Sequence, residues 1–228
     1  MESNVNVAEI AAILAEPSRA AMLVALLDGR MHPASELAFM ARIKPQTASF
    51  HLGKMLTSSV VTLQRQGRHH YYQMNPDVAG TLETLLSISP MIPVQSLRES
   101  TQARAVKKAR TCYDHFAGEF GVALTESLLQ KGIISEEITD FQLTEQGSAF
   151  FTDFGVDLVA LRRKRRAFTK KCLDWSERKH HLAGSLGYGI VIKFQELGWV
   201  EAMPGSRAIK VTEEGKRGLQ EYFEMQMG

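Results

Sequence analysis

The chain has 228 residues, 44% of them apolar and 23% charged, with a formal net charge of +2. That is material for one large domain or two small ones, and a core of this size needs neither disulfides nor a structural metal to fold. No apolar run reaches the roughly 18 residues of a membrane-spanning helix, the start Met1-Glu2-Ser3-Asn4 lacks the basic-then-apolar layout of a signal peptide, and the two cysteines stand far apart; these features predict a cytoplasmic protein with reduced thiols and no membrane partner.

Val7, Ile10, Ala11 and Leu14 recur at helical spacing and predict a first helix over Val5 to Ala15. Glu16-Pro17 breaks it, because the residue before proline is pushed out of the helical region. A second helix follows from about Ser18 to Leu27, ended by Asp28-Gly29. His32-Pro33 opens a third over Ala34 to Ala41, and Pro45, pre-set for the first helical position, opens a fourth over Pro45 to Leu56. In this fourth helix Ala48, Leu52, Met55 and Leu56 form an apolar stripe, while Gln46, Thr47, Ser49, Phe50, His51 and Lys54 mostly occupy the other faces. Short polar side chains near a helix N-terminus suit base edges and phosphates in a major groove; a glutamine can bond adenine through both amide groups, and Phe50 can pack on a thymine methyl. The same pattern also suits an ordinary amphipathic surface helix.

The next segment of chain narrows the choice. Val60-Val61-Thr62-Leu63 and His70-Tyr71-Tyr72-Gln73-Met74 are β-rich runs joined across Arg65-Gln66-Gly67-Arg68, a hairpin with Arg65 and Arg68 at its tip. Such a hairpin after a helix-turn-helix is a wing that can touch phosphates or a minor groove. From Pro17 to Pro76 seven basic residues stand against two acidic ones, the local positive excess that a phosphate-facing surface needs. Asp77 then starts a fifth helix running to about Ser87.

Pro17-Ser18-Arg19, Glu36-Leu37-Ala38, Thr47-Ala48-Ser49-Phe50-His51-Leu52 and Gly67-Arg68-His69-His70-Tyr71-Tyr72 stand in an order and spacing that resembles the ArsR-like winged-helix repressors, over about Val7 to Leu86. The resemblance implies a homodimer with the first and fifth helices at its interface, two reading helices on a near-palindromic operator in double-stranded DNA, and repression relieved by an effector. The chain departs from the family in three ways. Its third helix, Pro33-Ala34-Ser35-Glu36-Leu37-Ala38-Phe39-Met40, has no cysteine, and its fifth, Asp77-Val78-Ala79-Gly80-Thr81-Leu82-Glu83-Thr84, has no histidine. Neither offers a complete ligand set, so no metal and no cofactor is expected. Lys44 replaces the short polar cap usual before the reading helix, at a cost of about 1 kcal/mol.

Beyond the prolines of Ser89-Pro90-Met91-Ile92-Pro93 the sequence repeats. His115-Phe116-Ala117-Gly118 recurs as His181-Leu182-Ala183-Gly184 at an offset of 66, and Leu143-Thr144-Glu145-Gln146-Gly147 as Val211-Thr212-Glu213-Glu214-Gly215 at an offset of 68. The expected fold is mainly α with small β-hairpins. A winged helix-turn-helix DNA-binding and dimerisation domain covers 1–88, a linker or connecting helix 89–110, and a tandemly duplicated α+β sensor domain 111–228, with repeat units about 111–155 and 176–222. A pseudo-two-fold axis between the copies can bring His115 and His181 to one cleft, lined by Tyr113, Trp175, Tyr188 and Trp199. Cys112, His115, Cys172, Trp175 and His181 are therefore the candidates for binding a small-molecule effector or for thiol modification, although histidines and cysteines at such positions also serve as packing devices. The basic run Arg162 to Arg166 is either a solvated face or a source of phosphate contacts. No phosphate loop, nucleophile elbow or zinc-protease motif is present, so no enzyme is expected. A thiol triad of Cys172, His181 and Asp174 and a purely dimerising or partner-docking second half remain the alternatives.

Overall fold

Two prolines punctuate the N-terminal helices. In the computed structural model, which describes residues 7–67, 69–90 and 97–226 and only the backbone of 97–100, α1 (Val7–Leu14) ends before Glu16 and α2 (Pro17–Leu26) starts on its proline. The Glu16 carboxylate caps α2 by accepting from the Arg19 amide at 2.7 Å. Arg19 does not face solvent as a phosphate-binding cation must: it is buried, and its guanidinium donates to the carbonyls of Ala12 and Ile13 at 2.7 and 2.8 Å. These are carbonyls that the end of α1 leaves without helical partners.

His32 and Pro33, the latter also standing at the N-cap of the helix that follows, form a short strand, β1 (His32–Pro33). It pairs with β3 (His69–Met74), which pairs in turn with β2 (Val61–Gln66) to give an antiparallel sheet of order β1-β3-β2. Between β1 and β2 lie α3 (Ala34–Met40) and α4 (Pro45–Thr57), joined by a tight turn in which Arg42 takes the left-handed φ of +56°. Met22, Leu23, Leu26, Leu37, Leu52, Met55, Val60 and Met74 are fully buried, and each large side chain contributes about 1.5–3 kcal/mol. A polar link sits in this core. His32 Nε2 is 2.8 Å from Asp28 Oδ2, and its Nδ1 is 3.0 Å from Glu36 Oε2, an ion-pair distance off the hydrogen-bond line. Burial opposes charge on His32, yet the Asp28 and Glu36 carboxylates outweigh it and raise its pKa. Burial likewise opposes ionisation of Asp28, but His32 and Arg30 hold its carboxyl below the ordinary range.

The chain divides into two compact units, Met1–Glu83 and Thr84–Gly228, and α5 (Pro76–Ile88) runs across the division. The expected boundary at Pro90 and Pro93 falls partly on residues 91–96, outside the described ones. The second unit continues with α6 (Leu97–Lys108) and then runs hairpin, helix, hairpin, helix twice. The first run is β4 (Arg110–Cys112), β5 (His115–Ala117), α7 (Gly118–Gln130), β6 (Ile134–Glu136), β7 (Phe141–Leu143) and α8 (Glu145–Asp153). After α9 (Leu158–Arg162) the second is β8 (Lys170–Leu173), β9 (His180–Ala183), α10 (Gly184–Glu196), β10 (Val200–Ala202), β11 (Ile209–Val211) and α11 (Glu213–Phe223). This run opens at Lys170, ahead of the start near 176 suggested by the sequence.

Corresponding positions use the same local chemistry. Thr144 and Thr212 cap α8 and α11 by accepting from Gly147 and Gly215 amides, both at 2.9 Å. Gly118 and Gly184 turn strand into helix at φ +75° and +83°, and a Cβ on Gly118 would lie 2.3 Å from the Lys107 carbonyl oxygen. The two runs share one core of Phe116, Phe120, Leu182, Phe194, Trp199 and Phe223. They are also joined reciprocally. Ile209 donates its amide to the Ala109 carbonyl at 3.0 Å, and at the corresponding places the Thr169 hydroxyl donates to the Phe141 carbonyl at 2.6 Å. Among the described residues no helix is long and apolar enough to cross a membrane.

Candidate functional site

In the first unit the α4 side chains divide by burial. Ala48, Leu52 and Met55 face the core, while Gln46, Thr47, Ser49, Phe50 and Lys54 are exposed. Phe50 is 60% exposed, with the Lys54 ammonium 4.7 Å above its ring. Ser49 returns its hydroxyl to the Pro45 carbonyl at 3.0 Å, and Lys44 caps the helix without any side-chain bond. His51 departs from the expected outward set: it is buried, with Nε2 3.6 Å from Glu16 Oε2. Arg65 is exposed on β2, opposite His70, whereas Arg68 lies outside the described residues. Arg19, used at the end of α1, and Arg30, paired with Asp28 at 2.6 Å, do not add to an open cationic face.

In the second unit the two leading hairpins bring four side chains together. Cys112 pairs across β4–β5 with His115, and Cys172 pairs across β8–β9 with His181. The two pairs meet like to like, with the sulfurs 3.8 Å apart and the two Nε2 atoms 3.1 Å apart. One donor atom from each of the four lies within 4.8 Å of the others. Behind each imidazole stands a carboxylate: Asp114 Oδ1 is 3.5 Å from His115 Nδ1, and Asp174 Oδ2 is 3.4 Å from His181 Nδ1. Asp114 is held by Arg166 at 2.5 Å. Asp174, with no exposed surface, accepts from the equally buried Arg110 at 2.8 Å, from the Gly118 amide at 2.7 Å and from the Ser176 hydroxyl at 2.8 Å.

The electrostatics follow from these contacts. Burial opposes charge on His115, but Asp114 and the Cys172 sulfur raise its pKa to about 9. A hydrogen bond from the Cys112 thiol, aided by the two imidazoles and opposed by burial, holds Cys172 far below the usual thiol range. Burial also opposes ionisation of Asp174, yet His181, Arg110 and the Gly118 amide keep its carboxyl well below the usual range.

Over 225 residues, covering 98% of this chain and 100% of the relative, the sequence is 44% identical to the HTH-type transcriptional regulator YdfF of Bacillus subtilis (strain 168). The chain belongs to the HTH-type transcriptional regulators. No protein-family model matches it. Two solved structures are similar in part. The cadmium metal-sensor CMTR from Mycobacterium tuberculosis is 28% identical, with a TM-score of 0.32, over 40% of this chain and 100% of that one. NolR from Sinorhizobium fredii is 22% identical, with a TM-score of 0.34, over 39% of this chain and 96% of that one.

The aromatic candidates of this regulator are engaged in other contacts. Trp175 lies under the Arg110 guanidinium at 4.5 Å, Tyr188 under Lys164 at 4.5 Å, and Trp199 belongs to the shared core. His115 and His181 are 7% and 1% exposed, and a small cavity lined by their chain neighbours Phe116 and Leu182 with Thr125 and Gly187 holds no more than about one water. Cys172, His181 and Asp174 are neighbours. The basic run is exposed, and all of it beyond Arg162 lies past the end of α9. Sequence reasoning missed the equivalence of the cysteines. Cys112-Tyr113-Asp114 and Cys172-Leu173-Asp174 share a Cys-x-Asp signal at an offset of 60, hidden because the second hairpin carries six more residues before its histidine.

Proposed function

We propose that this regulator is a homodimeric repressor of the ArsR-like kind, acting in the cytoplasm. As a DNA-binding protein of the helix-turn-helix type, it reads double-stranded DNA by laying α4 in the major groove. Gln46, Thr47, Ser49 and Phe50 then meet base edges, while Lys54 and Arg65 meet phosphates. Two copies place two such helices on a near-palindromic operator. The carrying observation is the exposed polar face of α4, backed by the buried stripe of Ala48, Leu52 and Met55 and followed by a hairpin with Arg65 exposed.

The second unit is read as a tandem duplication that carries the input. The like-to-like meeting of Cys112 with Cys172 and of His115 with His181 supports this reading, as does the reciprocal bonding of the two runs. The burial of Cys112, His115 and His181 favours a small effector, an ion or a thiol-directed reagent, over a bulky organic ligand. Its arrival changes the spacing of the two reading helices and so lowers operator affinity through a coupling free energy.

The test is fluorescence anisotropy on the DNA upstream of the coding sequence, against scrambled competitor. The expected result is salt-dependent, sequence-preferring binding that loses about 1–3 kcal/mol in Gln46→Ala. Equal binding to scrambled DNA, or a Gln46→Ala variant with unchanged preference, would overturn the reading.

A further inference from the structure

We propose that Cys112, His115, Cys172 and His181 form a tetrahedral site for a divalent ion of the zinc class, held between the two leading hairpins of the second unit. Zinc–sulfur bonds of about 2.3 Å and zinc–nitrogen bonds of about 2.0–2.1 Å set tetrahedral edges of about 3.8 Å between two sulfurs and about 3.3 Å between two nitrogens. The corresponding separations are 3.8 Å and 3.1 Å. A disulfide would need the sulfurs to close to about 2.05 Å.

The surroundings favour an ion over packing alone. With Asp114 and Asp174 on the Nδ1 sides, the two imidazoles turn Nε2 atoms towards each other. At that distance a proton or a metal ion must lie between the two Nε2 atoms, and a bound ion takes the proton's place. The carboxylates stand at ion-pair distance, with His181 Nδ1 making no hydrogen bond, and from there they favour a proton on Nδ1 and leave Nε2 as the ligand atom. Their charge is already answered, Asp174 by Arg110 and Asp114 by Arg166. What remains is the pair of cysteine sulfurs, which bind as thiolates once the ion displaces their protons, and a divalent cation neutralises that pair. Two sulfurs and two imidazoles suit a zinc-class ion better than a hard cation, which seeks oxygen. All four coordination positions come from the protein, so the ion locks the two hairpins together and has no open position for hydrolysis. Cys172 is half-buried while Cys112, His115 and His181 are 2%, 7% and 1% exposed, so the ion enters on the Cys172 side. Each ion bound displaces whatever protons the four ligands carry, and nothing is oxidised or reduced.

Metal binding stands apart from the DNA reading; only its use as the repressor's input rests on the proposal above. The experiment is a Co2+ titration of the reduced, chelator-treated full chain, followed by displacement with Zn2+. The expected result is one Co2+ per chain, with the visible bands of a tetrahedral ion and a thiolate-to-metal charge-transfer band, both abolished by Zn2+. Cys112→Ser and His181→Gln remove these bands. Asp114→Asn keeps all four ligands and weakens binding about 10–100-fold. Circular dichroism checks that each variant folds, and Cys172→Ser at the more accessible ligand replaces any that does not. An octahedral Co2+ spectrum, absence of the charge-transfer band, or undiminished Zn2+ affinity in the folded ligand variants would overturn the site. If Co2+ gives no signal while operator binding is intact, the site fails and the DNA reading stands. If the signature appears but operator affinity ignores the metal, the site stands and the input reading fails.

Discussion

The two compact units differ in where their candidate polar side chains lie, in solvent in the first and in the interior in the second. In the first, Gln46, Thr47, Ser49 and Lys54 stand in solvent on a helix whose apolar residues do the packing. In the second, Arg110, Asp174 and His181 are 0–1% exposed, and every oxygen of Asp174 is engaged. An exposed reading face can be altered without touching the fold, because its side chains make few internal bonds. A buried charged network cannot, because removing one partner strands the other in a medium that solvates charge poorly. The comparison therefore predicts that function and stability separate in the first unit and stay tied in the second.

The largest expected effect tests the second half of that statement. Asp174→Ala leaves the Arg110 guanidinium buried without its carboxylate and is expected to destabilise the second unit by about 3–5 kcal/mol, measured by urea unfolding. A loss within about 1 kcal/mol would break the comparison. The first half is tested on operator DNA: Lys54→Ala is expected to weaken binding evenly across sequences and reduce the salt slope by about 1, with an unchanged melting temperature. A fall in melting temperature would place Lys54 among the packing residues.

A smaller effect concerns access within the buried cluster. Cys172 is half-buried and Cys112 is 2% exposed, so iodoacetamide is expected to modify Cys172 first, as read by peptide mass spectrometry. Equal rates at both cysteines would contradict the packing around β4. The smallest effect lies in the buried His32–Asp28 link of the first unit. The pKa of His32 is raised, so its stabilisation is full below about 6.5 and lost as pH rises through the folded value; that of Asp28 is lowered, so its stabilisation is present above about 3.9 and lost as pH falls. Thermal melts of the first unit are expected to be highest between those values, and His32→Gln to flatten the alkaline decline. A wild-type profile already flat on that side would remove His32 from the account.

Much of the first unit was readable because local rules decide it. Pro17 and Pro45 fix helix starts through their φ, and the stripe of Ala48, Leu52 and Met55 fixes which face of α4 turns inward. The misreadings arose where a polar residue serves the core. His51 stands three after Ala48 and four before Met55, the spacing of an inward residue, and that spacing could have placed it. Arg19 reaches backward to cap the preceding helix, a tertiary choice that charge counting cannot see. In the second unit the histidines at an offset of 66 were visible as a repeated pair, whereas the cysteines at an offset of 60 were not aligned with each other. Strand pairing closes that gap: Cys112 opposite His115 and Cys172 opposite His181 follow from hairpin register, and register across a six-residue insertion is set by the fold.

The central claim is that an exposed reading helix and a buried cysteine–histidine cluster belong to one switch. Operator affinity measured by anisotropy, with and without saturating Zn2+, in the wild type and in Cys112→Ser, tests it most directly. The account predicts that Zn2+ lowers the affinity of the wild type by at least severalfold and leaves the folded variant unmoved. Equal affinities for the wild type with and without the ion, or the same Zn2+ effect in the variant, would contradict it.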